Sequence, residues 1–164
     1  MNITLIGMAG VGKTTVGKEL AKRLNYKFID IDNLIEEKNK MKLQQIVSSF
    51  GDEKFIEIEE KAVLELGRLE NTIISTGGSI IYSKNAMNYL KNNSKIVFLN
   101  GSFETIEKNL KNQRTRGLVR LKTSLKELFY ERLPLYRKYA DISINVPDPF
   151  DIEGIIKEIT NKIY

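Results

Sequence analysis

A glycine-rich loop lies between an apolar stretch and an amphipathic one near the start of the chain, and this order leaves few folds open. Asn2–Ile6 is a short apolar run typical of a buried strand. Lys13–Leu24 carries apolar residues at helical spacing. The loop between them reads Gly7-Met8-Ala9-Gly10-Val11-Gly12-Lys13-Thr14 and matches G-x-x-x-x-G-K-[ST]. Strand, loop and helix together predict a P-loop, which binds phosphate through backbone N–H groups and the helix N-terminus.

The P-loop motif also predicts what its individual residues do. Lys13 is expected to reach the β- and γ-phosphates of ATP and to be catalytic, because it neutralises charge on the transferred group. Thr14 is expected to ligate Mg²⁺ through its hydroxyl. A chance match in a glycine-rich turn is the alternative, and the flanking strand and helix argue against it. The expected nucleotide-binding residues of the loop are Gly10, Val11, Gly12, Lys13, Thr14 and Thr15.

Strands and helices alternate along the remaining chain. This alternation predicts a three-layer α/β fold, in which helices cover both faces of a parallel sheet and ligands bind at the carboxyl ends of the strands. The length of 164 residues and the absence of a linker-like segment predict a single domain, 1–164. Strands are predicted at 2–6, 27–30, 72–76, 95–99 and 141–146, and helices at 13–24, 33–50 (as two pieces), 52–66, 103–110, 124–139 and 150–163.

Two further motifs follow predicted strands. In Asp30-Ile31-Asp32, one carboxylate can hold the magnesium shell, and the other can accept a hydrogen bond and a proton from a substrate hydroxyl. The alternative is that these acids cap the helix that begins near Asn33. In Thr76-Gly77-Gly78-Ser79, paired glycines permit close approach of the backbone to a ligand, or simply form a tight turn.

Positive charge is concentrated in the second half of the chain. Between Lys108 and Lys138 there are ten Lys or Arg and two acids, and the net charge is +5. Three interpretations are open: a nucleic-acid surface, a pocket for ATP with an anionic substrate, and a solvated helix face. Aromatic residues are not interleaved with the basic ones as base stacking requires, so we expect no nucleic-acid partner. An arginine segment at 113–118 could close over ATP and exclude water.

Composition excludes several kinds of chemistry. The chain has no cysteine and no histidine, so disulfides, thiolate metal sites and imidazole bases are absent. It has no run of 18 apolar residues and no basic segment before its first apolar stretch, so we expect no membrane span and no signal peptide. These features predict a cytoplasmic protein, and we expect a monomer.

Taken together, these residues resemble the shikimate kinase family, within the nucleoside-monophosphate-kinase-like P-loop proteins. The similarity extends along nearly the whole chain. It implies a five-stranded parallel sheet, a lid at about 112–122 and a small substrate-binding subdomain at about 32–60. The motifs that carry it are the P-loop, Phe28–Asp32, Phe50–Phe55, Ser75–Gly78 and Glu131–Tyr136 followed by Ala140-Asp141.

The resemblance also implies roles for single residues. Asp32 would contact the ring hydroxyls of shikimate and act in catalysis, and Asp30 would serve the magnesium site with Thr14. Arg132 would grip the substrate carboxylate. The remaining implied roles are a substrate pocket lined by Gly77 and Gly78, a catalytic lid arginine at Arg116 and an adenine contact at Arg114.

The chain departs from the family pattern mainly in the substrate motifs. Ile56 stands where the family has a carboxylate-binding arginine, Ser79 replaces a third glycine, and Val47 stands at a substrate-side apolar position that is usually Phe. Gly117 replaces a lid proline, and the lid is short because only one residue separates its two arginines. The prediction is therefore ATP- and Mg²⁺-dependent phosphorylation of a small hydroxylated acceptor, with shikimate first. The alternatives are a kinase of another polyol or hydroxy acid and a catalytically silent nucleotide-binding protein.

Overall fold

The computed structural model describes residues 1–111, 118–119 and 124–164. Within these residues, five parallel strands form one sheet in the order β2-β3-β1-β4-β5, and seven helices flank it. The predicted α/β fold with a five-stranded parallel sheet is confirmed. The strands are β1 (Ile3–Ile6), β2 (Lys27–Asp30), β3 (Thr72–Ser75), β4 (Lys95–Asn100) and β5 (Ile142–Asn145). The helices are α1 (Lys13–Leu24), α2 (Ile31–Asn39), α3 (Leu43–Leu64), α4 (Lys84–Asn93), α5 (Phe103–Lys111), α6 (Leu125–Tyr139) and α7 (Ile152–Ile163).

The central strand of the sheet is β1, and its position determines where a ligand can bind. Ile3 lies beside Ile73 of β3 on one side and Lys95 of β4 on the other. All four residues of β1 and of β3 are buried, as expected for strands covered by helices on both faces. The sheet grows from β1 toward β3 and β2 on one side and toward β4 and β5 on the other. The crevice beyond the carboxyl end of β1 is therefore the switch point at which α/β sheets bind ligands.

The first helix begins at this crevice. Gly12 caps it with a left-handed backbone (φ 101°), which few residues other than glycine adopt without strain. Val16 and Leu20 lie one turn apart and are fully buried, so this apolar stripe fixes α1 against the sheet. As a result, the N-terminus of α1 points its unpaired N–H groups toward the space beyond β1.

The structure differs from the predicted elements at two places. Where helix was predicted at 33–50 and 52–66, the structure has α2, which ends at Asn39, and α3 (Leu43–Leu64), whose hydrogen bonding continues past a kink at Gly51 (φ 82°, ψ 171°). The break predicted between residues 50 and 52 is that kink. Helix α4 was missed, although its signals are present in the sequence. The Ser83 side chain caps the backbone N–H of Ala86, and Met87 and Leu90 bury one face of the helix.

Candidate active site

A cavity of about 700 Å³ occupies the crevice beyond β1. We divide it into two parts. The P-loop half is lined by Gly10–Thr15 together with Lys108, Asn109 and the segment 148–150. The inner half is lined by Asp32, Leu43, Phe55, Glu59, Gly77–Ser79 and Arg132. Every predicted site residue among the described positions, except Asp30, therefore lines one cavity.

In the P-loop half, Lys13 lies at the centre of the loop. Its Nζ donates to the carbonyl oxygens of Gly7 and Met8, at 2.8 and 2.9 Å, and the side chain is only 7% exposed. These bonds hold a positive charge beside the N-terminus of α1, where the helix dipole adds further positive potential. The combination is suited to an anionic ligand with several phosphate oxygens.

The two acids of the Asp30-Ile31-Asp32 motif lie in different places and make different contacts. Thr14 donates from its hydroxyl to Asp30 Oδ2 at 2.7 Å, and Asp30 Oδ1 accepts the backbone N–H of Asn33 at 3.3 Å. Asp30 is therefore the N-cap of α2, a role that the sequence left open for either acid. Asp32 lies in the first turn of α2 and lines the inner half of the cavity. The Thr14 hydroxyl and the Asp30 carboxylate converge, and this pair of hard oxygen donors fits Mg²⁺, which takes one or two protein ligands and keeps phosphate oxygens and water for the rest.

Glu59 is the main residue that sequence reasoning missed. It lies on α3, is 1% exposed, and accepts a hydrogen bond on Oε2 from the hydroxyl of Ser79. Two carboxylates approach Gly77 closely, because a Cβ there would collide with Glu59 Oε1 and lie 2.8 Å from Asp32 Oδ1. Burial and the nearby Asp32 raise the pKa of Glu59 to about 8, while the Ser79 hydrogen bond and the charges of Arg132 and Lys13 act in the opposite direction. The available signal was the family stretch Phe-Arg-x-x-Glu, whose last residue is Glu59 in this chain and to which we had assigned no role.

Arg132 enters the inner half from α6. It is 1% exposed, and its Nη2 donates to the carbonyl oxygen of Val119 at 2.6 Å. Its Nε makes a long hydrogen bond of 3.4 Å to the Tyr82 hydroxyl, and its Cζ lies 5.4 Å from the centre of the Tyr82 ring. The Tyr82 hydroxyl in turn donates to the carboxylate of Glu131. Among the described residues no carboxylate forms an ion pair with Arg132, so its charge is available to an anion in the cavity.

The glycine pair after β3 is held against α6. Nη1 of Arg132 lies 2.8 Å from the point that a Cβ on Gly78 would occupy. The buried hydroxyl of Tyr136 donates to the carbonyl oxygen of Gly78 at 2.6 Å, and its ring stacks on Phe98 at 5.2 Å. The backbone of the glycine pair is thereby fixed next to the guanidinium, as the substrate-pocket prediction for these residues requires.

Apolar side chains complete the walls of the cavity. In the inner half they are Leu43 and Phe55, whereas Val47, for which we predicted this position, is half-buried against the core. Ile56 is 8% exposed and belongs to the hydrophobic core. In the P-loop half, the ring of Phe150 approaches Gly12 closely, and Asn109 donates to the Gly10 carbonyl oxygen at 2.8 Å. These two contacts were not predicted.

Two predicted site residues and most of the predicted lid lie outside the described residues. They are Arg114, Arg116 and the segment at about 112–122, apart from Leu118 and Val119, which line the cavity. In the part of the chain that the structure does describe, no helix is both long enough and apolar enough to cross a membrane.

Comparison with known proteins agrees with this geometry. The family model for shikimate kinase matches residues 9–164. A shikimate kinase of Sulfurihydrogenibium sp. (strain YO3AOP1) is 42% identical over 163 residues, which is 99% of this chain and 97% of that protein. A shikimate kinase from Acinetobacter baumannii, solved in complex with shikimate, superposes with a TM-score of 0.85 at 30% identity and covers 99% of this chain and 89% of its own. The shikimate kinase of Aquifex aeolicus superposes with a TM-score of 0.84 at 32% identity, covering 99% and 96%.

The fold and the cavity define a P-loop kinase that acts on a small molecule. The chain belongs to the shikimate kinase family, which consists of ATP-using P-loop kinases. The predicted family, fold and class of enzyme are therefore confirmed. A gluconokinase from Sinorhizobium meliloti, at 15% identity and a TM-score of 0.57, shares the fold alone.

Proposed function

We propose that this protein transfers the γ-phosphoryl group of ATP to the 3-hydroxyl of shikimate in an Mg²⁺-dependent reaction. The observation that carries the proposal is the continuity of the cavity, which joins Lys13 in the P-loop half to Asp32 and Arg132 in the inner half. One end supplies positive charge for phosphates. The other end supplies a carboxylate that can accept from a hydroxyl and a guanidinium that can bind a carboxylate. A hydroxylated carboxylic acid carries both of the groups that these side chains recognise.

Lys13 and the loop N–H groups bind the phosphates and stabilise the charge that spreads over the transferred group. Lys13 is held by loop carbonyl oxygens, so its charge is in place before the reaction begins. Thr14 and Asp30 would hold Mg²⁺, because the Thr14 hydroxyl and the Asp30 carboxylate already converge. When bound, the metal would neutralise negative charge on phosphate oxygens of ATP.

Asp32 orients the acceptor. Its carboxylate lines the inner half and accepts the proton of the attacking hydroxyl, and phosphoryl transfer requires mainly this positioning. Gly77 and Gly78 let the acceptor approach the backbone, and Arg132 binds the acceptor carboxylate. In the same proposal, Arg116 approaches the transferred phosphoryl group from the lid, and Arg114 contacts adenine.

Ile56 lowers the expected affinity for shikimate. An arginine at that position would add a charge-assisted hydrogen bond of about 1.5–3 kcal/mol, which corresponds to roughly 10- to 150-fold in binding. The buried isoleucine supplies none, so Arg132 has to hold the carboxylate without that partner. We therefore expect shikimate phosphorylation with a high KM.

A turnover screen tests the proposal. ATP consumption is measured with shikimate, related hydroxy acids, polyols and nucleoside monophosphates, with and without Mg²⁺. The expected result is Mg²⁺-dependent turnover that is greatest with shikimate. Preference for another polyol or hydroxy acid would support the second candidate, which Ile56 favours. Absence of turnover with the whole panel would favour a silent nucleotide-binding protein.

The expected assembly and location stay predictions. We propose that the protein is a cytoplasmic monomer without a nucleic-acid partner. Light scattering after gel filtration tests this expectation, because the measured molar mass of a dimer would be about twice the chain mass of 18.8 kDa.

A further inference from the structure

Glu59 is enclosed in the inner half beside a second acid. Its carboxylate is almost completely buried, and its Oε1 and Oδ1 of Asp32 both lie close to the point that a Cβ on Gly77 would occupy, so the two acids approach the same side of Gly77. One hydroxyl, that of Ser79, donates to it. A buried carboxylate in its charged form needs several donors or a cation, and two neighbouring carboxylates disfavour ionisation of both.

The two cations that face Glu59 donate hydrogen bonds to neutral groups. No Lys or Arg among the described residues forms an ion pair with Glu59. Lys13 on α1 donates to two loop carbonyl oxygens, and Arg132 on α6 donates to Val119 and Tyr82, so both act on Glu59 from a distance. The other titratable groups that face it are Asp32 on α2 and the Tyr136 phenol on α6.

The residue one turn before Glu59 on α3 explains this isolation. Ile56 and Glu59 are spaced i, i+3, so their side chains emerge on neighbouring parts of one helix face. An arginine at position 56 would lie within reach of Glu59 and would favour its charged form. Isoleucine provides only apolar surface, which favours the neutral form. The two clearest departures from the family pattern therefore both concern Glu59, since Ile56 precedes it by three positions on α3 and Ser79 donates a hydrogen bond to it.

We propose that Glu59 admits the acceptor only in its protonated form, as a neutral acid that hydrogen-bonds within the inner half, and that its ionisation expels the acceptor. The reason is electrostatic, since ionised Glu59, Asp32 and an acceptor carboxylate would place three negative charges around Gly77. Glu59 is then a specificity-determining residue. The inference rests on the proposed function, because it takes the acceptor to be a carboxylic acid. Burial and Asp32 raise the pKa of Glu59 to about 8, which is consistent with a protonated group at neutral pH.

The test is the KM for shikimate at saturating ATP and Mg²⁺, measured from about pH 7 to about pH 9.5, a window below the ordinary pKa of Lys and Tyr side chains. In the wild type, KM is expected to be level below about pH 8 and to rise about tenfold for each pH unit above the midpoint, while kcat and the KM for ATP change much less. In Glu59→Gln, which is permanently neutral, KM for shikimate is expected to stay level. Glu57→Gln is the matched control, because Glu57 is exposed on the same helix and pairs with Lys54.

Ser79→Ala provides a second variant that leaves Glu59 in place. The Ser79 hydrogen bond lowers the pKa of Glu59, so its loss should move the midpoint of the KM profile to higher pH. This shift ties the pH dependence of KM to the carboxyl group that Ser79 contacts. It also decides the matter if Glu59→Gln does not fold.

The outcomes separate the two proposals. Level KM in the wild type, or the same rise in Glu59→Gln as in the wild type, would overturn the inference while leaving shikimate phosphorylation intact. A midpoint that stays in place or moves down in Ser79→Ala would also overturn it. Absence of shikimate turnover at every pH would overturn the proposed function and this inference with it.

Discussion

The two halves of the cavity are built differently. The P-loop half comes mainly from one continuous segment, Gly10–Thr15, and most of its binding groups are backbone N–H groups at the start of a helix. The polar groups of the inner half are side chains of Asp32, Glu59, Ser79 and Arg132, which come from three helices and one loop. Most substitutions leave the backbone N–H groups in place, whereas a single substitution removes a polar side chain of the inner half. The reaction can therefore be retained while recognition of the acceptor changes.

The two halves also differ in how strongly their parts depend on one another. In the inner half, Ser79 donates to Glu59, Glu59 and Asp32 both approach Gly77, and Arg132 reaches Gly78. Buried polar groups in such a network affect one another, so the effects of substitutions there should not add. In the P-loop half, the charge of Lys13 is held by carbonyl oxygens of its own loop. This comparison predicts where a substitution abolishes the reaction and where it alters only acceptor binding.

The largest effect is expected at Lys13. Lys13→Ala removes the side-chain charge that stabilises the transferred phosphoryl group, so kcat should fall by about 10²–10³-fold or more. The fold should remain, since Thr14 and the helix cap are unchanged, and circular dichroism with thermal unfolding checks this. Lys18→Ala, on the exposed face of α1, is the matched control. Wild-type turnover in Lys13→Ala would contradict the assigned mechanism.

Asp32→Asn should slow the reaction of the acceptor without changing the binding of the nucleotide. The amide keeps the shape of the side chain but cannot accept the hydroxyl proton, so we expect kcat to fall by about 10²-fold. Nucleotide affinity, measured by calorimetry with ADP and Mg²⁺, should stay unchanged. Glu37→Gln, exposed on the same helix, is the control. If nucleotide affinity collapses while acceptor binding survives, the roles of Asp30 and Asp32 are reversed.

The pH dependence of the free energy of unfolding should show whether the buried Glu59 is protonated in the folded chain. The pKa of Glu59 is about 8 in the folded protein and near 4.5 when exposed, so between these values the folded chain holds a proton that the unfolded chain has lost. Raising the pH through this range therefore favours unfolding, by roughly 5 kcal/mol in all. Urea unfolding at several pH values should show this loss in the wild type and a much smaller loss in Glu59→Gln. Parallel profiles for the two proteins would mean that Glu59 is ionised in the folded state.

A smaller effect is expected at Tyr82, which lies between Arg132 and Glu131. Tyr82→Phe keeps the ring against the guanidinium but removes the hydroxyl that accepts from Nε. Arg132 should be less well oriented, and KM for shikimate should rise about two- to fivefold, since one long hydrogen bond contributes less than about 1 kcal/mol. The KM for ATP should not change. Tyr89→Phe, in which the lost hydroxyl bonds to a surface carbonyl oxygen of Gly67, is a suitable control.

The two halves also differ in how far they could be predicted from sequence. The P-loop half depends on spacing within one short segment, so the motif alone identified its residues. The parallel sheet could be predicted for a similar reason, because strands buried on both faces are continuous apolar runs. Asp32, Gly77, Gly78 and Arg132 were found through family motifs, and the cavity confirms their proximity.

The remaining features depend on contacts between distant segments. Glu59 looks like an ordinary helix residue until α3 packs beside the loop that carries Ser79, twenty positions away. Likewise, Asp30 and Asp32 could not be told apart as helix cap and cavity carboxylate until the start of α2 was known. Phe150 approaches Gly12 only because the segment before α7 returns to the P-loop. The contacts that Glu59 and Phe150 make join segments far apart in the sequence, so a local pattern can point to these residues but cannot supply their partners.

The most direct test of the whole account is the kinetics of Ile56→Arg, measured beside the wild type at about pH 7. The account predicts that the arginine lowers KM for shikimate by about tenfold or more, because its positive charge offsets that of the Glu59 it ionises and its guanidinium adds a contact with the acceptor carboxylate. It should leave kcat and the KM for ATP nearly unchanged, because the new contact forms equally in the ground and transition states. Glu57→Arg, which adds an arginine at the neighbouring exposed position, should have little effect. A wild-type KM for shikimate already as low as that of Ile56→Arg would contradict the account, since the inner half would then need no arginine at position 56.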